Sequence, residues 1–283
     1  MGFMTAVKAN KAVRLQKNGN IQEAQKLYEE TFAEGLNDPR YLLSYALMII
    51  RDGQYQKAKE FLVKHQKAPG MTPGQRTDLL VYYAVCCLRL GNLDKGISTL
   101  EQQFRKGENG LLYQTLGYMY VDKYDQKNKP DFEALAEAQA EAPAEEPAEN
   151  GDGEEAESTE DVPENVMTPE EAWNAGITKA EAFIRASVEY DEEDSICLDN
   201  MGQFLYRVRG DREAAKEWFS KALALKENQI DTLYFLSRYD LEAGDKKAAA
   251  EKLEKALDGR FSPLNYVDKE TVQREIEKLK GNV

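Results

Sequence analysis

The sequence predicts an all-α protein, a right-handed α-solenoid of about six helical hairpins that ends in a C-terminal capping helix. One observation is a recurring pattern of small residues and turn glycines, with a spacing of 34 residues between Gly19 and Gly53 and between Gly210 and Gly244. The other is that all nine prolines fall in turns, in first turns of helices or in one polar stretch. A helical array requires this placement, because a proline inside a helix costs about 3 kcal/mol.

The clearest copy of the pattern lies between Tyr41 and His65. Ala46 in the first predicted helix is followed seven residues later by Gly53, and Ala58 and Leu62 lie on one face of the second helix. Small residues let two helix backbones approach closely, and the glycine ends the first helix without the steric penalty of a β-carbon. One such hairpin cannot bury its apolar faces alone, so the pattern requires neighbouring copies.

Four further segments repeat this spacing, and the copy that contains Gly210 has one extra residue in its turn. They are Ala12, Gly19, Ala24 and Tyr28; Ala84, Gly91, Gly96 and Leu100; Gly202, Gly210, Ala215 and Phe219; and Ser237, Gly244, Ala249 and Leu253. A helical hairpin that recurs with this period resembles the tetratricopeptide repeat (TPR) family. The resemblance implies a superhelix in which the first helix of each repeat, helix A, lines a concave groove.

Capping and breaking signals predict where the repeats begin. Repeat one is predicted at residues 5–35, and Pro39 opens repeat two at a position where its missing N–H does no harm. Thr72 and Pro73 form a cap and first-turn pair for repeat three. Repeats five and six are predicted over residues 194–260.

The last predicted element is an amphipathic helix at the C-terminus. Asp268 is a suitable N-cap, and Val272, Ile276 and Leu279 form one apolar stripe between charged residues. An end helix of this kind covers the last hairpin on one side and faces water on the other.

The fourth repeat is interrupted in its turn. Its helix A is recognisable at residues 111–122 around Gly117, and its helix B by Ala180 and Ile184. The gap between Gly117 and Ala180 is 51 residues longer than in the uninterrupted copies. Helix B is predicted over about 169–190, because Thr168 and Glu171 can form a capping box at its start.

The inserted stretch carries the acidity of the whole chain. The formal net charge is −14, yet residues 130–172 contain 16 Asp and Glu and no Lys or Arg. Few apolar residues and many like charges predict a disordered insertion. The predicted organisation is therefore repeats one to three and helix A of repeat four at 1–124, the insertion at 125–168, helix B of repeat four and repeats five and six at 169–264, and the capping helix at 265–283.

No residue pattern points to catalysis, a cofactor or a metal. The one histidine, His65, falls on the packing face of a helix, where a packing role is more common than a catalytic one. The three cysteines, Cys86, Cys87 and Cys197, lack metal-ligand spacing and are expected to be small, reduced core residues. We therefore expect a protein that is not an enzyme.

The resemblance to TPR proteins implies a binding groove with two different halves. The N-terminal half is apolar at Leu43, Leu47, Val81 and Val85. The C-terminal half mixes amides, charges and tyrosines, which suit an extended peptide. Its candidate peptide-binding or protein-binding residues are Gln114, Tyr118, Asp199, Asn200, Gln203, Tyr234 and Arg238. A merely solvated concave face remains the alternative interpretation.

The expected function is that of a non-catalytic scaffold or adaptor that binds another protein or an extended peptide through this groove. The alternative is an acidic chaperone-like protein whose insertion binds a basic client. Nucleic acid is disfavoured, because phosphate binding needs a basic patch and the rest of the chain has a net charge of only +2. The absence of a signal peptide pattern and of a long apolar run predicts a cytoplasmic protein that does not enter a membrane.

Overall fold

The computed structural model describes residues 3–135 and 167–281 of the chain. In these two ranges the chain forms thirteen α-helices of ten or more residues and no β-strand. The helices are α1 Phe3–Lys17, α2 Ile21–Ala33, α3 Pro39–Arg51, α4 Tyr55–His65, α5 Pro73–Arg89, α6 Leu93–Phe104, α7 Gly110–Lys123, α8 Pro169–Tyr190, α9 Ser195–Phe204, α10 Arg212–Leu225, α11 Ile230–Glu242, α12 Lys246–Ala256 and α13 Lys269–Lys280. The predicted all-α solenoid of six hairpins and an end helix is confirmed.

The residues of the repeat pattern form the core between successive hairpins. In five hairpins the small residue of helix B and the larger residue four positions later are fully or almost fully buried; they are Ala24 and Tyr28, Ala58 and Leu62, Ala180 and Ile184, Ala215 and Phe219, and Ala249 and Leu253. At Gly202 a β-carbon would lie 2.7 Å from the ring of Phe219. The small residue is therefore required because helix B of the same repeat packs directly on it.

Three predicted helix starts have the expected caps. Asp38 accepts a hydrogen bond from the backbone N–H of Arg40 and precedes Pro39 at the first position of α3. Complete capping boxes begin α5 and α8, through Thr72 with Gln75 and through Thr168 with Glu171. Each box satisfies two backbone N–H groups that a helix start otherwise leaves unpaired.

The interruption of repeat four leaves its two helices packed together. The helices α7 and α8 are in contact although more than forty residues separate them in the chain. Trp173 of α8 contacts the ring of Tyr124, with 5.0 Å between the ring centroids. The hydroxyl of Tyr124 lies so close to Gly176 that a β-carbon there would overlap it. Helix B of repeat four begins and ends where the sequence predicts.

The first residues of the predicted insertion belong to the helical array. Asp125 is 6% exposed, and Gln126–Asn128 form a short 3₁₀ turn. The ring of Phe132 lies 6.4 Å from that of Trp173. The predicted boundary at residue 125 is therefore too early, because composition does not reveal that Asp125 has a buried cationic partner. The rest of the predicted insertion, residues 136–166, lies outside the described residues.

The extra residue in the turn of repeat five produces a π-helical turn. Residues Leu205–Arg209 continue α9 as a π-helix, and Gly210 ends it in the left-handed conformation with φ +70°. A π turn accommodates one additional residue in a helix and changes the direction of the side chains that follow. In this protein the turn contains Arg207, whose guanidinium is buried.

The residues considered for chemistry are packing residues. All three cysteines are buried and free, as predicted. The ring of His65 packs on Phe61 with 4.5 Å between centroids. In the described ranges no three His, Cys, Asp or Glu side chains are arranged to hold a metal ion. No helix in the same ranges combines the length and the apolar character that crossing a membrane requires.

We expect that replacing residues 136–166 with a short Gly-Ser link leaves the melting temperature within a few degrees of the original value. The contacts between α7 and α8, and those of Asp125 and Phe132, do not involve the replaced residues, and changes in loop length cost little free energy. The replacement removes 12 carboxylates. Thermal unfolding followed by circular dichroism is the measurement.

Two outcomes of this replacement are informative beyond the melting temperature. A loss of cooperative unfolding would show that the replaced residues contribute to the fold. A variant that remains folded but loses salt-sensitive binding to a basic protein would favour the acidic chaperone-like function over the groove alone.

Candidate peptide-binding groove

The helices α7, α9 and α11, the A helices of repeats four to six, lie side by side and line the candidate groove. Gln114 and Asn200 connect the first two helices. The side-chain amide of Asn200 donates a hydrogen bond to the carbonyl of Gln114 at 2.9 Å. Nε2 of Gln114 donates in turn to the Asp194 carboxylate at 2.6 Å. Two of the predicted groove residues therefore join neighbouring repeats.

The other predicted residues of α9 form a buried polar chain. Asp199 and Gln203 are 3% and 1% exposed, and Nε2 of Gln203 donates to Asp199 at 2.7 Å. The hydroxyl of Thr232 on α11 donates to the second oxygen of Asp199. Oε1 of Gln203 accepts a hydrogen bond from Arg207 at 2.8 Å. Buried polar groups of this kind are favourable only when all of them are satisfied.

Arg207 holds this chain of polar groups together. Its Nε donates to Asp125 at 2.8 Å, and its Nη2 donates to Asp122 at 2.8 Å. The side chain of Arg207 is 3% exposed, and that of Asp125 is 8% exposed. Both carboxylates follow or end α7, so the arginine of repeat five binds to the exit of the interrupted repeat. A buried ion pair thus connects repeat five to the end of helix A of repeat four.

A segment of the chain's own C-terminal region lies across the groove. This groove segment, residues 260–267, lies in the connection between α12 and α13. Asp231 of α11 accepts hydrogen bonds from two of its backbone N–H groups, those of Tyr266 at 3.0 Å and Val267 at 3.4 Å. The same carboxylate accepts a third from the side-chain amide of Asn265 at 3.1 Å.

The carbonyl groups of the groove segment are bound from the opposite wall. Arg89, the last residue of α5, donates from Nε to the carbonyl of Pro263 at 2.7 Å and from Nη2 to that of Asn265 at 3.3 Å. The hydroxyl of Tyr118 on α7 also donates to the carbonyl of Asn265, at 3.3 Å. The groove therefore contacts this segment mainly through its backbone.

The ring of Tyr266 lies among aromatic and cationic side chains of the groove. Its ring lies 5.1 Å from that of Phe235 and 5.9 Å from that of Tyr234, between centroids. The guanidinium carbon of Arg207 lies 4.3 Å from the centre of the Tyr266 ring. Stacking of an arginine on an aromatic ring is worth about 0.5–2 kcal/mol, with the larger value for desolvated pairs.

A cavity of about 300 Å³ remains open beside the groove segment. Leu111, Ile196 and Ile230 supply apolar walls, and Arg260 lies at its rim. Gln229 also lines it and is only 7% exposed, and its Oε1 has no hydrogen-bond partner among the described residues. A buried amide without a partner is costly, so this oxygen is suited to accept a hydrogen bond from a ligand.

Burial determines the electrostatics of the two carboxyl groups at the centre of the groove. Burial, followed by the negative charge of Asp231, raises the pKa of Asp199 to about 7. Burial also raises the pKa of Asp231, although its hydrogen bonds from Tyr266, Asn265 and Val267 act in the opposite direction. Because Asp231 accepts hydrogen bonds from three N–H groups, we assign the negative charge to Asp231 and a proton to Asp199.

The structure places the seven predicted residues in one region but leaves few of them open. Tyr118, Asp199, Asn200 and Gln203 are at most 6% exposed, because the groove segment and the neighbouring helices cover them. Only the half-buried Gln114 borders the open cavity with its side chain substantially accessible. These positions therefore do not form an open surface in this structure, because residues 260–267 of the chain cover them. Their role in peptide binding stays a prediction.

Tyr234 and Arg238 have partners in the C-terminal region. The guanidinium carbon of Arg238 lies 4.1 Å from the centre of the Tyr234 ring, and Arg238 forms an ion pair with Glu275 of α13. The predicted groove residue Arg238 is therefore paired with a carboxylate of the capping helix.

Sequence reasoning missed Arg207, Asp125, Arg89 and Tyr266 as parts of this site. The only signal for Arg207 was the extra residue in the turn of repeat five, which forms the π turn. Nothing in the spacing connects Arg89 with Pro263, which lie 174 residues apart in the chain. Residues 261–264 match no element of the repeat, and residues 265–267 were assigned to the capping helix, which in the structure begins at Lys269.

The apolar N-terminal half of the groove is covered as well. Leu43, Val81 and Val85 are 8%, 3% and 5% exposed, and Leu47 is half-buried. These side chains belong to the same hydrophobic core as the repeat-pattern residues. They therefore contribute to packing between repeats one to three.

Comparisons with known proteins agree with this architecture. A family model described as anaphase-promoting complex, cyclosome, subunit 3 matches residues 17–103. This match extends from the end of α1 into α6 and so includes helix B of repeat one and nearly all of repeats two and three. No curated protein sequence matches the chain.

Several solved structures have a similar fold at low sequence identity. A thermophilic TPR protein of Thermus thermophilus is 15% identical with a TM-score of 0.57, over 86% of this chain and 99% of that one. PilW, a type IV pilus biogenesis factor, is 11% identical with a TM-score of 0.58, over 99% and 100%. MamA of Desulfovibrio magneticus RS-1 is 16% identical with a TM-score of 0.51, over 81% and 98%. In its fold, the chain is similar to solved tetratricopeptide repeat proteins.

Proposed function

We propose that this chain is a non-catalytic scaffold that binds another protein by holding a short peptide in the groove of repeats four to six. The observation that supports this function is that the groove already holds a peptide segment, residues 260–267, through backbone hydrogen bonds. Contacts to backbone groups can be made with many sequences, whereas pockets for side chains select among them. The groove has both kinds of contact.

Backbone recognition in this groove uses charged and polar groups from three repeats. Asp231 accepts N–H groups, and Arg89 and Tyr118 donate to carbonyls. Hydrogen bonds that involve an ionised group are worth more than neutral ones. A bound peptide therefore finds both its donors and its acceptors satisfied when it leaves water.

Side-chain recognition is proposed at two places. One is the aromatic and cationic site that Tyr234, Phe235 and Arg207 form around Tyr266. The other is the open cavity, in which Gln229 offers an unpartnered amide oxygen next to the apolar side chains of Leu111 and Ile196. The proposed groove residues remain Gln114, Tyr118, Asp199, Asn200, Gln203, Tyr234 and Arg238, with Asp231, Arg207 and Gln229 added.

Selection of random peptides displayed on phage against the full chain tests this function. We expect selected peptides to bind the purified chain in solution and to bind the Tyr234→Ala variant about 30-fold more weakly. This loss corresponds to about 2 kcal/mol, which is typical of an aromatic residue at the centre of a binding site. Fluorescence polarisation with labelled peptides is the measurement.

Tyr190→Ala is the matched control for this experiment, because Tyr190 is a half-exposed tyrosine at the end of α8. Circular dichroism establishes that both variants remain helical. Unchanged peptide binding by Tyr234→Ala, by Arg238→Ala and by the double variant would contradict the proposed groove. The remaining candidate would then be the apolar half around Leu43, Leu47, Val81 and Val85.

A further inference from the structure

The groove segment is less buried than the residues of the core and makes a different kind of contact. The residues that join one hairpin to the next, such as Phe219 and Leu253, have no exposed surface. Five residues of the segment, Phe261 and residues 263–266, are only partly buried, Arg260 and Ser262 are exposed, and Val267 at its end is buried. Val267 packs with Ile230 and Leu233 of α11 and anchors the end of the segment. Residues 260–266 contact the A helices chiefly through hydrogen bonds to backbone groups and through the ring of Tyr266. This is how a groove holds a separate peptide.

The segment has a defined shape as well as defined contacts. The backbone N–H of Asn265 donates to the carbonyl of Ser262 at 3.1 Å, which closes a four-residue turn with Pro263 at its second position. Oδ1 of Asn265 accepts from the N–H of Ser262 at 2.8 Å and holds the turn from inside. Proline favours this turn position because its φ angle is already close to the required value.

The turn places an aromatic side chain directly after it. Tyr266 follows the turn and enters the site formed by Arg207, Tyr234 and Phe235, while Asp231 binds the two N–H groups at that point. The segment therefore presents a compact motif, a proline turn followed by a tyrosine. Lys127, which precedes residues 136–166, also lies over this ring, with its Nζ 5.2 Å from the ring centre.

The groove around this motif contains more buried polar groups than are needed to hold a segment that never leaves. Asp199, Asp231 and Arg207 are nearly or fully buried charged or titratable groups, and such groups are expensive to bury compared with apolar residues of similar size. The adjoining cavity remains open, with the unpartnered amide oxygen of Gln229 in its wall. Both features suit a site whose occupant exchanges.

We propose that residues 260–267 are a built-in competitor that occupies the groove until a partner peptide of the same chemistry displaces it. This inference rests on the proposed function and deepens it. The partner peptide contains a proline turn followed by an aromatic residue, and its continuation reaches the cavity at Gln229. Since the segment is tethered at both ends, it competes at an effective concentration in the millimolar range.

The experiment uses the full chain and a labelled synthetic peptide with the sequence of residues 258–268, DGRFSPLNYVD. We expect weak binding to the unmodified chain and at least tenfold tighter binding to the Tyr266→Ala variant, because the internal competitor has lost its anchor. Adding Asp231→Asn to that variant is expected to reduce binding at least tenfold. A second peptide with alanine in place of its tyrosine is expected not to bind.

Asn265→Ala is a second way to release the segment, should Tyr266→Ala not fold. It removes the hydrogen bond that holds the turn and one of the bonds to Asp231, and it leaves the aromatic site intact. Circular dichroism and melting temperature establish folding for each variant. Tyr190→Ala serves as the control tyrosine and is expected to bind the peptide as weakly as the unmodified chain.

Two outcomes would overturn the built-in competitor. One is equal affinity of the peptide for the unmodified chain and for both released variants. The other is no binding of the peptide to any folded variant. If phage-selected peptides still bind the groove in either case, the proposed function stands and only the competitor is excluded. If neither kind of peptide binds, the proposed function fails as well.

Discussion

Replacing Arg207 with alanine is expected to lower the free energy of unfolding by about 3–5 kcal/mol. The change removes the positive charge between Asp125 and Asp122 and leaves the nearly buried carboxylate of Asp125 without a strong partner. Removing one member of a buried ion pair typically has an effect of this size. It also leaves Oε1 of Gln203 without its donor and removes the guanidinium above Tyr266. Urea denaturation followed by circular dichroism measures the difference.

Arg209→Ala is the matched control for Arg207→Ala. Arg209 lies two residues further along the same π turn and pairs with Glu181, but its side chain is 41% exposed. Solvent-exposed ion pairs contribute about 0–1 kcal/mol, so this variant should stay close to the unmodified chain. Equal and small losses for the two variants would show that the buried network around Arg207 does not stabilise the fold.

The sequence alone predicts the solenoid because the packing between hairpins repeats. Ala58, Ala215 and Ala249 occupy equivalent buried positions, and each is reached from a turn glycine at a constant spacing. Packing of this kind involves residues close in the chain, so a periodic pattern records it. The capping box at Thr168 was equally visible, because its partner Glu171 is only three residues away.

The occupied groove was not predictable from the same pattern, because its contacts join residues that are far apart in the chain. Arg207 reaches Asp125 across 82 residues, and Arg89 reaches Pro263 across 174. Periodicity places Tyr118 and Asp199 on the concave face but does not show what covers that face. The groove segment follows no helical period, so its role depends on how far the superhelix brings repeat six towards repeat three.

We expect the titration of Asp199 to make the stability of the folded state depend on pH. Burial raises its pKa to about 7, whereas a carboxyl in the unfolded chain titrates at about 4. Between these values the folded state binds one more proton than the unfolded state, so stability falls as the pH rises. The slope approaches about 1.4 kcal/mol per pH unit and ends once the pH exceeds the folded pKa.

The variant Asp199→Asn isolates this contribution. Its oxygen can accept from Gln203, and its Nδ2 can donate to the hydroxyl oxygen of Thr232 once that hydroxyl turns its hydrogen away from position 199; a protonated carboxyl requires the same reversal. Urea denaturation at several pH values from 5 to 8 should show the fall in stability for the unmodified chain and a flatter profile for Asp199→Asn.

The difference between these two profiles is the informative quantity, because it removes the contributions of all other titrating groups. Hydrogen bonds and cations lower the pKa of Glu29, Glu101 and Glu181 despite the opposing effect of burial, so their contribution to stability is lost only as the pH falls below this range. Glu213→Gln removes one exposed negative charge on α10 and controls for net charge. Parallel profiles for the unmodified chain and Asp199→Asn would mean that Asp199 is ionised in the folded protein throughout this range. If both profiles were flat, both carboxyls would be ionised in the folded protein. If both fell in parallel as the pH rose, the proton would be assigned to Asp231, and the segment's N–H groups would be bound by a neutral carboxyl, a weaker contact that would make the groove segment easier to displace.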